Sequence, residues 1–197
     1  MDLEGRVVLA SASPRRHDLL RSVGLEIEVR PADIDESVVP GEDPIAYVRR
    51  LSREKAVAVG RPGELVIAAD TTVEVDGTIL GKPTDAADAC RMLSLLSSRT
   101  HRVHTGVTVG RDSSLETIAV STAVTFVTLD AATIDWYVGT GEPMDKAGGY
   151  AMQGAGGALV ERIDGSVSNV IGLPLAETLA LLVGTRGSRL PIPEPTA

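Results

Sequence analysis

Apolar and polar positions alternate along the chain in a way that marks out short buried strands and amphipathic helices. Val7-Val8-Leu9-Ala10 is a continuous apolar run, which predicts a buried strand. Ser13-Pro14 follows, a side-chain cap and then a proline whose missing N–H costs nothing at a helix start. That helix carries Leu19, Leu20 and Val23 on one face and stops at Gly24. A second strand is expected over 26–30. Asp43-Pro44 repeats the cap-then-proline signal and opens a helix running to about Val59. Leu65-Val66-Ile67-Ala68-Ala69 predicts another buried strand, with Asp70 at its carboxyl end. Val73-Glu74-Val75 and Thr78-Ile79-Leu80 flank Asp76-Gly77, a strong signal for a two-residue hairpin. Asp85 caps a helix over 86–96. Stretches 102–109 and 115–129 are rich in β-formers and joined by a turn near 110–114. Asp130 caps a short helix through Tyr137, 158–163 is a final strand turning at Asp164-Gly165, and 175–183 is a closing helix.

The mixture of βα units and antiparallel hairpins favours an α/β fold with a mixed sheet. A long sheet with helices on its faces and a cleft between two lobes suits that pattern, while strand order stays open. No repeat or low-complexity linker separates independent domains. Residues 1–187 therefore read as a single α/β domain, and 188–197, with three prolines, as a tail.

Composition narrows the function classes. The chain has 197 residues, 43% hydrophobic and only 3% aromatic, so its core must rest on Val, Leu, Ile and Ala. Few rings and a net charge of −8 argue against a nucleic-acid binder, which needs stacking platforms and a positive footprint. A small anion answers to local cations and is not excluded. The single Cys90 rules out an internal disulfide or a thiolate zinc cluster, and its apolar helical context suits a packed thiol. No apolar run is long enough to span a bilayer and Met1 to Arg6 is no signal sequence, so a cytoplasmic protein without a membrane partner is expected.

Several segments carry candidate chemistry. In Ser11-Ala12-Ser13-Pro14-Arg15-Arg16 a strand passes through small hydroxyl residues into a helix with two arginines in its first turn. Cations are disfavoured at the positive end of a helix, so this local conflict is expected where function requires an anion site. Asp70, after an apolar strand, lies where α/β folds place their ligand crevice. It can hold a metal, act as a general base or cap a turn. Lys82 sits in Gly81-Lys82-Pro83; the spacing from Gly77 is one residue short of a phosphate-binding P-loop, and Pro83 replaces its Ser or Thr, so that motif is rejected. Lys55, in an amphipathic helix, reads by itself as a surface lysine. Asp33, Asp35 and Glu36 suit a hard, oxygen-ligated cation, though solvated acidic loops are commoner. The run from Lys146 to Gly157 is dense in glycine, which admits positive φ and close backbone approach, and its Gln153 has an amide suited to reading a base edge. The histidines lack convincing metal spacing, and no Gly-x-Ser-x-Gly elbow is present.

In order and spacing, Ser11–Arg16, Asp35-Glu36, Arg53-Glu54-Lys55-Ala56, Ala69-Asp70-Thr71, Gly81-Lys82-Pro83, Thr105-Gly106-Val107, Lys146-Ala147-Gly148, Gln153-Gly154 and Val170 to Leu175 resemble the Maf family of nucleoside triphosphate pyrophosphatases, from Leu9 to about Leu182. The resemblance implies a Maf/ITPase-like fold, a long twisted mixed sheet with flanking helices and two lobes around a nucleotide-binding cleft. It implies a cytoplasmic house-cleaning hydrolase that cleaves a nucleoside triphosphate between the α and β phosphates with a divalent cation, Mg²⁺ or Mn²⁺. Asp70 matches the family's proton acceptor. Arg15, Thr71 and Gln153 match the branch that prefers dTTP and UTP rather than the one acting on 7-methyl-GTP. On this resemblance Ser11, Arg15, Arg16, Lys55 and Lys82 bind the triphosphate, Thr71 and Gln153 read the pyrimidine, and Glu36 and Asp70 hold the metal. Asp70 as base or as metal ligand is not separated. A pyrophosphatase for inosine or xanthosine triphosphates or for 7-methyl-GTP, and a nucleotide-binding regulator of septum formation with little turnover, are the rival readings. Self-association as a homodimer is left open.

Overall fold

Two helices begin on a proline, as their sequence predicts: α1 (Pro14–Ser22) and α2 (Pro44–Val59). Their starts differ. Asp43 Oδ1 accepts from the N–H groups of Ile45 at 3.0 Å and Ala46 at 3.1 Å. Ser13 makes no side-chain cap; its own N–H donates to Ser11 Oγ at 3.2 Å. The expected cap is thus replaced by a contact that holds the Ser11 hydroxyl at the mouth of α1. The structure, a computed structural model, describes residues 7–184, so the proposed tail at 188–197 lies outside the described residues.

Strands β1 (Val7–Leu9), β2 (Glu28–Val29), β3 (Leu65–Val75), β4 (Thr78–Leu80), β5 (Thr100–Arg111), β6 (Ser114–Phe126) and β7 (Val160–Asp164) form a seven-stranded sheet. Its order is β2-β1-β3-β5-β6-β7, with β4 paired to β3 off that path. β1 is parallel to β2 and β3, whereas β3–β4 and β6–β7 are antiparallel, so the sheet is mixed as expected. Helices α3 (Ala86–Leu96), α4 (Ala131–Gly139), α5 (Val167–Ile171) and α6 (Leu175–Gly184) are the further α-helices, α5 has no counterpart in the sequence reading, and short 3-10 turns lie at Glu142–Asp145, Ala147–Gly149 and Ala155–Leu159.

One boundary is corrected. The strand expected to stop at Asp70 continues without interruption to Val75, so Asp70 lies in the interior of β3. Thr71, Thr72 and Val73 are β-branched, and that preference carries the chain past the polar residues. The hairpin follows as predicted: Asp76 and Gly77 both have positive φ, 52° and 77°, and turn the chain into β4.

The chain sorts into two compact units. Residues 7–70, 105–119 and 172–184 make up the first, and 71–104 with 120–171 the second; β3, β5 and β6 each contribute to both. The core of the first unit gathers Leu9, Leu20, Leu65, Ile67, Val107 and Leu173, with a smaller cluster of Val8, Ala56 and Val66. There α2 approaches β5 at Gly106, where a Cβ would fall 2.1 Å from the Val48 carbonyl oxygen. Only glycine admits that approach. The second unit is built on Leu93, Leu96, Phe126, Tyr137 and Leu159, with Cys90 packed half-buried against them. His101, Phe126 and Tyr150 meet edge to face at centroid distances of 4.9, 5.3 and 4.7 Å. His101 Nε2 shares a 2.7 Å hydrogen bond with the Tyr150 hydroxyl, and burial pushes the imidazole pKa down to about 4.

Candidate active site

Helix α2 buries the face carrying Val48, Leu51, Ser52, Lys55 and Val59, and this periodicity puts an ammonium inside the first unit. Lys55 Nζ lies 2.5 Å from Asp70 Oδ1 and 2.6 Å from Glu36 Oε1. Asp70 is 6% exposed and Lys55 7%. Arg16, also buried, donates from Nε to the Gly172 carbonyl at 2.8 Å and from one terminal nitrogen to Ser11 Oγ at 3.0 Å. Ser11 Oγ therefore accepts from Arg16 and from the Ser13 N–H, which leaves its own proton to donate to an anion. Arg15 sits half-buried beside it at the start of α1.

Burial works against both signs of charge here. Desolvation raises the Asp70 carboxyl above its ordinary value, although Lys55 and Arg16 favour the anion. Desolvation likewise lowers the Arg16 guanidinium, against the attraction of Asp70 and with the repulsion of Arg15. Charges held at such expense are the pattern of a functional site rather than of a stabilising surface pair.

Glu36 reaches Lys55 from an exposed loop that α2 straps down. The Tyr47 hydroxyl donates to the Glu36 carbonyl at 2.9 Å, and an Arg50 terminal nitrogen donates to the Ser37 carbonyl at 3.0 Å. Arg50 is itself fixed by two 2.7 Å contacts to Glu42. Burial, then the charges of Asp70 and Glu36, push the Tyr47 pKa up to about 12, so its phenol stays a donor. Asp35 turns back on its own loop and accepts from the Ser37 N–H at 2.9 Å. Of the acidic cluster, Glu36 is the member joined to Lys55.

The donor set suits a hard cation bound partly by substrate. Mg²⁺ commonly takes one or two carboxylates and fills its shell with phosphate oxygens and water. Asp70 and Glu36 converge on the Lys55 ammonium, and among the described residues no group of three His, Cys, Asp or Glu side chains forms a protein cage for a metal.

Thr71, Lys82 and Gln153 belong to the second unit. Thr71 is half-buried on β3, Lys82 is exposed in the loop after β4, and Gln153 is exposed in the glycine-dense segment. Two of the sequence motifs meet there: the Gly148 N–H donates to the Gly81 carbonyl at 3.0 Å, tying the Lys82 loop to Lys146-Ala147-Gly148. The residues brought together around Asp70 are thus Ser11, Arg16, Lys55 and Glu36, all of the first unit.

The Maf-like protein family model matches residues 6–185. The chain belongs to the Maf family. A protein of Anaeromyxobacter dehalogenans named dTTP/UTP pyrophosphatase is 58% identical over 95% of this chain and 96% of its own. Proteins of the same name from Myxococcus xanthus and Chromobacterium violaceum are 53% and 49% identical, over 95% and 94% of this chain and 94% and 97% of theirs. Among solved structures, a HAM1 protein from Coxiella burnetii is a distant likeness, with a TM-score of 0.43 and 17% identity over 62% of this chain and 73% of that one.

Sequence reasoning missed Tyr47 and Arg50 in this Maf chain. The signal was present: Tyr47, Leu51 and Lys55 are spaced by one helical turn each, so the same stripe that buries Lys55 brings Tyr47 to its loop.

Proposed function

We propose that this chain hydrolyses dTTP and UTP between the α and β phosphates, releasing the monophosphate and pyrophosphate. The observation that carries this reading is Lys55 Nζ held between Asp70 and Glu36, with Asp70 buried and its carboxyl raised. A raised carboxyl is a better proton acceptor, so Asp70 orients and deprotonates the attacking water. Arg15 and Arg16, with the Ser11 hydroxyl, receive the triphosphate at the start of α1, and Lys55 and Lys82 add charge-assisted contacts. Glu36 and Asp70 would hold Mg²⁺ or Mn²⁺, whose charge offsets that of the phosphates when bound. Thr71 and Gln153 read the pyrimidine edge. The names of the close relatives support this substrate pair.

Pyrophosphate release measured across a nucleotide panel, with each metal, tests the reading. Turnover is expected on dTTP and UTP and to fall roughly 10²–10⁴-fold in Asp70→Asn, the contribution of a positioned base. Near-normal turnover in that variant would remove Asp70 from its role. Release confined to inosine or xanthosine triphosphates, or nucleotide binding without release, would overturn the proposal in favour of a different pyrophosphatase or a regulator.

A further inference from the structure

The glycine-dense segment that carries Gln153 is fastened on both sides by one pair of side chains. Glu142 accepts from the Gly156 N–H at 3.1 Å and the Tyr137 hydroxyl at 2.9 Å on one oxygen, and from the Ala155 N–H at 3.0 Å on the other. The Tyr137 hydroxyl in turn accepts from the Ala151 N–H at 3.1 Å. Backbone N–H groups at 151, 155 and 156 are therefore all held by two side chains, with Gln153 exposed between them. Tyr137 is fully buried on α4, which gives the arrangement a rigid base. Gly154 has φ +92°, and a Cβ there would fall 2.6 Å from Glu142 Oε2. The backbone next to Gln153 is thereby bent into a conformation closed to other residues and pressed against the same carboxylate.

We propose that Glu142 and Tyr137 are positioning residues for base selection: they hold the 151–156 loop in the shape that presents Gln153 to the nucleotide base. The inference rests on the proposed role of Gln153 and adds the machinery behind it. An exposed amide on an unsupported glycine loop samples many directions and discriminates poorly. Discrimination through hydrogen bonds needs the reading group fixed before the base arrives, because only then does a wrong base leave polar atoms unpaired. The fastening suits that task. Burial alone would raise the Glu142 carboxyl, but donation from Gly156, Tyr137 and Ala155 holds it below its ordinary value, so it stays an anion able to accept from all three. Gln in its place would offer one carbonyl and turn an NH₂ toward backbone donors.

The test compares kcat/KM for dTTP with that for dGTP in wild type, Glu142→Gln, Tyr137→Phe and Gln153→Ala. The inhibition constant of tripolyphosphate, which has no base, is measured alongside. In Glu142→Gln and Tyr137→Phe the dTTP-to-dGTP ratio is expected to fall roughly tenfold, about the effect of one charge-assisted hydrogen bond, mostly through KM, with tripolyphosphate inhibition unchanged. An unchanged ratio in both, beside a lowered ratio in Gln153→Ala, would overturn the positioning role and leave Gln153 as reader. A ratio unchanged in Gln153→Ala would overturn the reading of Gln153 itself, and this proposal with it. Loss of tripolyphosphate inhibition in both positioning variants would also overturn it, since the pair would then hold the fold and not the loop.

Discussion

Lys55 shows what a single residue reveals at this site. By local pattern it is one more helical lysine, yet its ammonium touches Asp70 and Glu36 at 2.5 and 2.6 Å from the buried stripe of α2. The periodicity that buries Leu51 and Val59 made this legible; the usual preference of lysine for solvent hid it. Removing one member of such a pair strands the other. Lys55→Met should lower unfolding stability by about 3 kcal/mol, measured by urea denaturation. Lys55→Met combined with Asp70→Asn should lose less than the sum of the single variants, because the second change neutralises the stranded carboxylate. Full additivity would mean that the two groups do not interact in solution. Ser11 gives the opposite lesson. Its neighbour Ser13 has the better capping position, and only the folded backbone shows that Ser13 donates to Ser11 instead.

Among the elements, the helices capped by aspartate were the most legible. Asp43, Asp85 and Asp130 each cap the helix predicted for them, because a cap depends on residues within one turn. Strand β3 was read too short because its first half is continuously apolar and its second half mixes Thr and Glu with Val. The fastening of the 151–156 loop was illegible for another reason: its carboxylate comes from Glu142, and no spacing rule links a glutamate to amides that far along a glycine-rich chain. Gly106 belongs to this scale too. Gly106→Ala would drive a methyl into the Val48 carbonyl and force α2 away from β5, at a cost of about 3 kcal/mol. A matching drop in stability, with α2 amides exchanging faster, is the expected result.

For the molecule as a whole, the mixed sheet with flanking helices was legible from the succession of elements, whereas the strand order was not, since register and neighbour choice come from long-range pairing. Global stability should carry an acid-sensitive component from His101. The unfolded chain titrates this imidazole near the ordinary 6.5, and the folded protein at about 4. Between those values the unfolded state binds a proton that the folded state refuses, so the contribution is whole above pH 6.5 and is lost as pH falls to about 4. The loss amounts to about 3 kcal/mol, read from guanidinium unfolding at a series of pH values. His101→Gln should flatten that part of the curve and keep a polar partner for Tyr150. Equal slopes in the two proteins would place the titrating group elsewhere. The few aromatic residues matter here, because two of them, Phe126 and Tyr150, pack edge-on against this imidazole and help keep it neutral.

Asp70 occupies the interior of a strand that is indexed from both ends. Upstream, Leu65, Val66 and Ile67 are in register with Val7, Val8 and Leu9; downstream, Val73, Glu74 and Val75 are in register with Leu80, Ile79 and Thr78. β3 therefore behaves as a ruler with the carboxylate as one graduation. Substitutions along it are local errors, but a single inserted or deleted residue between Ile67 and Val73 shifts one scale against the other and turns every later side chain to the wrong face. The length of β3 is therefore not free to vary, even where a change of side chain would be felt only locally.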